Sequence, residues 1–470
     1  MRRVICGVLM AVGVAACGDE EGANVRDTAD ASLVDTGDGS SADTAVADTN
    51  ADAQDPDAGD AGEVRDAGDA TDTRDTLDPD DTKDASETGD TSDTVEPSDT
   101  AETRDTADAQ GEVDTAVPCE GLAAGHARHV VLSYPYTAAG GSAKAWKVLA
   151  LEADGSLGAV TDTLTMGRAV HGRVAFTPDG RLGFAPQDNG TLGVFAFDAQ
   201  GRAKVLAAEL DPGVYATAVA VDGDRLLLVN PNWAESGGGV YAAALDCDGN
   251  VGPAARLYTA KNAVDVAVRG NGDHLVVARA AGDTTFGHLH QLRAGSGAWT
   301  RFDSVDLFGH DEAILTAIAV MGDERFALVA QNSEFSAEPN AIGVARLDGA
   351  GLLAEDPVEV NDPVSLVASP YGDAALVVSG YGNAVHILSY DPAAVTPIKD
   401  LGEPAYIVSR PSLPGDAVLV GASHPGQVLV VENVAVRRFR FDPKAKLVDL
   451  GRTAAGSGTA SIPGSIGVQP

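Results

Sequence analysis

The chain has 470 residues and a formal charge of −38, with 70 acidic against 32 basic residues. No basic stripe interrupts that surplus, which excludes nucleic acid as a partner. The acid is also unevenly placed: residues 18–118 carry a net −27 and no Phe, Trp or Tyr, while residues 119–470 carry a net −13.

The chain opens with Met1-Arg2-Arg3, an apolar run from Val4 to Ala16, and Cys17. Two arginines before a short apolar core read as an export signal, and the run is too short to span a bilayer. Val14-Ala15-Ala16-Cys17 resembles the lipobox of bacterial lipoproteins. The resemblance implies that residues 1–16 are removed and that Cys17 takes lipid. Such a protein sits in the bacterial cell envelope and meets the membrane through its lipid anchor only. Gly18, not aspartate, follows the cysteine. That leans toward the outer membrane, periplasmic or surface-facing.

From Cys17 to Pro118 the sequence repeats Asp-Thr, Asp-Ala and Ala-Asp without a fixed period. It cannot bury enough apolar surface to offset the entropy of ordering, so a disordered acidic spacer is expected. Calcium loops need ligands at fixed steps around a glycine, and none is in register here. About 100 flexible residues span roughly 50–60 Å, and self-repulsion stretches them further.

Residues 119–470 change character. Val174–Asp198 reads VAFTPDGRLGFAPQDNGTLGVFAFD: three short apolar runs, each closed by turn residues. That is an antiparallel meander. Degenerate copies begin near residues 174, 217, 264, 315, 364 and 406. Four strands per period of that length mark a blade of a β-propeller. The last copy is read as strands at Tyr406–Arg410, Ala417–Ala422, Gln427–Asn433 with Arg437–Asp442, and Leu447–Leu450. The first copy, from Arg128, lacks its innermost strand, and Ile462–Pro470 resembles an innermost strand without followers. The expectation is an all-β, seven-bladed propeller of four-stranded antiparallel blades, closed by the C-terminal strand, which hides the free sheet edges.

Leu182–Lys204 and Ser369–Pro392 resemble the YVTN and lactonase-type propeller family, in which an Asn-bearing loop joins the second strand to a third strand ending in Asp. The family implies seven blades and includes sugar-lactone hydrolases. No catalytic motif of those enzymes maps onto this sequence residue by residue.

No nucleophile elbow, zinc-protease motif, phosphate loop or Cys-x-x-Cys is present. His288 and His290 share one strand face, but no third ligand accompanies them, so neither a metal nor a cofactor is expected. Residues entering the innermost strands gather at one mouth of the central channel. They include His171, Arg173, Tyr215, Asp265, His310, Asp311, Glu312, Asp362 and Tyr406. His, Arg and acids in one cleft can bind a carboxylate or sugar, or activate a water. The sequence therefore supports a monomeric binding or protein-interaction module on a long acidic stalk, its partner a protein or small-molecule ligand at the propeller face. The alternative is a lactonase-like hydrolase with its site at the channel mouth, so enzymatic activity is undecided at this point. Cys119 and Cys247 are the two thiols of the exported domain and are expected to form a disulfide, since exported compartments permit one.

Overall fold

The computed structural model describes residues 128–470, except 134–135, 138–144, 169–171, 233–236, 279–287, 295–297, 310–314, 333–339, 349–350, 434, 444–446, 456–460 and 463. Among the described residues every regular element is a strand. Seven four-stranded antiparallel sheets follow one another along the chain, so the fold is a seven-bladed propeller. From the channel outward, blade 2 is Ala175–Phe176, Leu182–Pro186, Leu192–Phe197 and Ala203–Leu210. Blades 3 to 7 repeat this order, with inner strands at Ala218–Asp222, Ala263–Val268, Leu315–Val320, Pro363–Ala368 and Ala417–Leu419.

The burial pattern explains the sequence pattern. Second strands lie between packed blades, and Phe326–Gln331, Ala374–Ser379 and Gln427–Glu432 are buried along their whole length. They therefore read as unbroken apolar runs. Outer strands meet solvent on one face, and Ala203–Leu210 alternates half-buried with exposed positions for most of its length. The core is a set of apolar layers between neighbouring blades. Between blades 1 and 2, Trp146, Phe195 and Phe197 pack with Met166 and Val131. The Trp146 and Phe195 rings meet edge to face at 6.1 Å. Gly193 makes room for that tryptophan: a Cβ there would come within 2.7 Å of the Trp146 ring.

The ring closes as the sequence implies. Ile466–Val468 is the inner strand of blade 1, pairing antiparallel with Arg128–Leu132 through Val130–Val468 and Leu132–Ile466. Gln469 carries the seam onto blade 2, where its amide donates to the Gly180 carbonyl at 2.8 Å. The His129 ring beside it stacks on Phe197 at 5.1 Å.

Blade 7 departs from the expected register. Tyr406–Arg410 is not a strand, and the innermost strand is Ala417–Leu419. The second and third strands are Gln427–Glu432 and Ala435–Phe441, which the sequence had suggested were one element. A buried ionic cluster holds the preceding loop out of the sheet. Arg437 pairs with Glu432 and donates from Nη1 to Asp449 Oδ2 at 2.7 Å, with Arg437 and both carboxylate side chains at 0% exposure. Its Nη2 donates to the Ser409 carbonyl at 2.6 Å, and the Ile407 amide donates to Asp449 at 3.0 Å. The loop's backbone is thus tied to this cluster, and Pro411 and Pro414 lack N–H donors for a ladder.

Candidate functional site

Three inner strands begin with a one-residue slip against their second strands, between Ala263 and Asp265, Leu315 and Ala317, and Pro363 and Ser365. A bulge bends the strand and re-aims the side chain beside it. In blade 4 that residue is Asp265 and in blade 6 it is Ser365. Blade 7 contributes Asp416, immediately before its inner strand, and blade 2 contributes Arg173, two residues before its own.

These residues meet across the channel. Arg173 reaches from blade 2 to blades 6 and 7. Its Nε donates to Asp416 Oδ1 at 3.2 Å, and its Nη2 donates to Ser365 Oγ at 2.7 Å and to the Leu366 carbonyl at 3.1 Å. Ser365 Oγ in turn donates to Asp416 Oδ1 at 3.2 Å. The amides of Ala417 and Ile466 donate to Asp416 at 2.8 and 3.3 Å. The Arg173 side chain is 39% exposed and that of Asp416 10%. Arg173 Nη1 makes no hydrogen bond to a described residue, so one amino group of the guanidinium is unspent.

Asp265 belongs to the same group. The amides of Val266 and Ile318 donate to it at 2.9 and 3.3 Å. Burial pushes its carboxyl above the usual carboxylate range. The Arg173 charge and these two amides pull the other way, and the Asp416 charge adds to the rise. Below the group the channel holds a cavity of about 360 Å³, with Arg173 at one end and the turn residues Gly322, Ser369 and Pro370 at the other. Its walls are the inner strands of blades 5, 6 and 7. A concave apolar space with a few convergent polar groups at one end is the usual form of a small-molecule site.

Of the residues singled out from the sequence, Arg173 and Asp265 come together here. Tyr215 does not join them. It is 46% exposed, its hydroxyl donates to the Asp188 carbonyl at 3.0 Å, and its ring covers Gly190. Tyr406 also lies elsewhere, wedged between the third strands of blades 6 and 7. Its hydroxyl accepts from the Val385 amide at 3.0 Å, and the Arg437 guanidinium lies 5.4 Å from its ring centre. Burial pushes its phenol up to about 12. Because Tyr406 precedes no inner strand, it has no place at the channel. Asp362 is buried and joins blade 5 to blade 6, accepting from the Asn332 side chain and the Tyr381 amide. His171, His310, Asp311 and Glu312 lie outside the described residues.

His288 and His290 have separate partners. His288 Nδ1 lies 2.8 Å from Asp306 and His290 Nδ1 lies 2.8 Å from the Tyr258 hydroxyl. No group of three or more metal-ligating side chains occurs among the described residues. Cys247 is disulfide-bonded, while Cys119, Cys17 and Cys6 lie outside the described residues. Asp416 and Ser365 were not anticipated. The signal for Asp416 was the Gly-Asp pair ahead of an apolar run; the signal for Ser365 is a bulge, which leaves no mark in composition.

The fold and the channel group define a seven-bladed propeller with a polar cluster at one end of its central cavity. Solved structures of the same architecture include lactonases. A candidate 6-phosphogluconolactonase of Bacteroides uniformis superposes with a TM-score of 0.55 at 13% identity, over 73% of this chain and 99% of that one. The periplasmic gluconolactonase of Pseudomonas aeruginosa gives 0.53 at 16% identity, over 73% and 99%. A protein of Lactobacillus plantarum gives 0.54 at 13%, over 73% and 100%. Identities this low establish the shared fold and nothing of the chemistry. No family pattern matches the sequence, and no curated protein matches it.

Proposed function

We propose that the protein is a lactonase-type hydrolase of the cell envelope, acting at the Arg173 end of the channel cavity. The observation that carries this is the Arg173 guanidinium, fixed across the channel by Asp416 and Ser365 with one amino group free, in a group that also holds Asp265, a carboxyl lifted above its usual range. Lactone hydrolysis needs those two parts. Asp265, ionised, takes a proton from water as the water oxygen bonds to the lactone carbonyl carbon. Negative charge gathers on the carbonyl oxygen, where the free N–H groups of Arg173 meet it. The ring C–O bond then breaks and the departing alkoxide recovers the proton from Asp265, leaving a hydroxy acid. Asp416 and Ser365 hold Arg173 in place and so act as positioning residues. Proteins described as gluconolactonases share the fold, so the architecture accommodates such a reaction.

The envelope setting is part of the proposal. Export and lipid attachment at Cys17 rest on the N-terminal sequence, and a disulfide at Cys247 fits an oxidising compartment. Cys119 is its proposed partner. The ten residues from Cys119 to Arg128 reach roughly 30 Å when extended, enough to bring that thiol from blade 1 to blade 3. Peptide mapping without reductant tests the pairing: a Cys119–Cys247 cross-linked peptide is expected, and alkylation of both thiols contradicts it.

Activity is tested by following acid release from a panel of sugar lactones. The purified chain should turn over at least one, and Asp265→Asn should slow it by roughly 100-fold or more. Binding without turnover in the wild type would return the protein to the interaction-module reading.

A further inference from the structure

The charge arrangement at the cavity says more about the substrate than the fold does. Of the described residues that line the cavity, Arg173 alone is charged. It is already matched by Asp416, with Asp265 close by. Recognition of a phosphate by arginine uses two parallel N–H groups on one edge of the guanidinium. Here Nε and Nη2 are spent on Asp416, Ser365 and the Leu366 carbonyl. What remains is one amino group, suited to a single neutral acceptor such as a lactone carbonyl. Apart from Ser369, the rest of the described wall is apolar side chains and the free edges of the inner strands, whose backbone groups suit hydroxyls. A phosphoryl group carries about −1.5 to −2 charge at neutral pH and would find one guanidinium, backed by the carboxyl groups of Asp416 and Asp265, and no spare fork.

We propose, resting on the hydrolytic reading above, that this site selects uncharged sugar lactones and rejects their phosphorylated counterparts, with Asp416 as the residue that sets the selection. Asp416 does so twice: it takes the Nε of the arginine edge that a phosphate needs, while Ser365 and the Leu366 carbonyl take its Nη2, and it supplies the repelling charge. The same placement distinguishes this chain's channel from one built for a phosphorylated sugar, which would need cations in excess.

The test compares gluconolactone with 6-phosphogluconolactone on the full chain, by kcat/KM, alongside calorimetric binding of gluconolactam and its phosphorylated form, which cannot turn over. The neutral lactone should be favoured by about 100-fold or more, because like charges brought together are strongly disfavoured. Raising the salt from about 0.05 to 0.5 M should narrow the ratio, since the repulsion is screened. Asp416→Asn should narrow it by about 10-fold at low salt. The salt series needs no variant, so it decides the question even if Asp416→Asn does not fold. A phosphorylated lactone used equally well or better, or a ratio that salt leaves unchanged, overturns the proposal. If no lactone turns over but gluconolactam binds in preference to its phosphorylated form, the hydrolytic reading falls and the charge selection stands. If neither lactam binds, both fall.

Discussion

Two arginines in this molecule each face two carboxylates, and they do opposite things. Arg437 sits between the strands of blade 7 with Glu432 and Asp449, all three side chains at 0% exposure. Its Nε, Nη1 and Nη2 are all committed, the last to a loop carbonyl. Arg173 sits across the channel with Asp416 and Asp265, its side chain 39% exposed and one amino group free. Each cluster sets one guanidinium beside two carboxyl groups. What separates scaffold from site is water and a spare donor: a fully engaged buried arginine fixes a loop, and a partly engaged arginine beside a cavity can meet a ligand.

The comparison can be broken by removing each cation. Arg437→Met strands two buried carboxylates, and losing one partner of a buried ion pair costs about 3–5 kcal/mol. The midpoint of urea unfolding should fall accordingly, and lactone turnover per folded molecule should stay near wild type. Arg173→Met should reverse the pattern. Arg173 is partly exposed, and Asp416 keeps the hydrogen bonds from Ser365 and from the Ala417 and Ile466 amides, so the stability loss should be smaller, about 1–2 kcal/mol. Turnover should fall by about 100-fold, the usual cost of a lost donor to a developing oxyanion. Equal stability losses for the two substitutions would erase the distinction.

The smallest effect concerns Asp265 and sharpens the contrast. Its carboxyl has a raised pKa in the folded state, above the ordinary 3.8. As pH climbs past 3.8 the unfolded chain releases this proton first, so the folded state binds more protons and loses stability until pH passes the folded value. The deficit then persists at neutral pH. The stability of Asp265→Asn relative to wild type should therefore rise as pH climbs above 3.8 and level off above the folded value, on top of a constant loss from the amide bond that asparagine cannot accept. Thermal unfolding across pH measures it; a difference that does not change with pH contradicts the assignment.

Much of this was legible in the residues. The second strands announce themselves because burial on both faces demands unbroken apolar runs, and seven such runs set the blade count. Closure was legible because the first repeat lacks an inner strand and the last nine residues supply one. Arg173 was legible as a polar residue just ahead of an inner strand, and Asp265 as one near the start of its own. Asp416 was not, because Tyr406–Arg410 has the composition of a strand. What keeps it out of the sheet is Arg437, a residue further along the chain that takes the Ser409 carbonyl. That long-range bond also explains why Tyr406 was assigned to the channel and sits between blades instead. Ser365 depends on a bulge, a property of two strands in register rather than of either one.

The pH dependence of kcat/KM for gluconolactone, measured on wild type and Asp265→Asn side by side, tests the channel assignment most directly. The account predicts an acid limb in the wild type lying above the ordinary carboxylate value, because Asp265 must be ionised to take the proton of water. It predicts a variant slower by roughly 100-fold or more, in which that limb is lost. A variant with the wild-type rate and the same acid limb would contradict it.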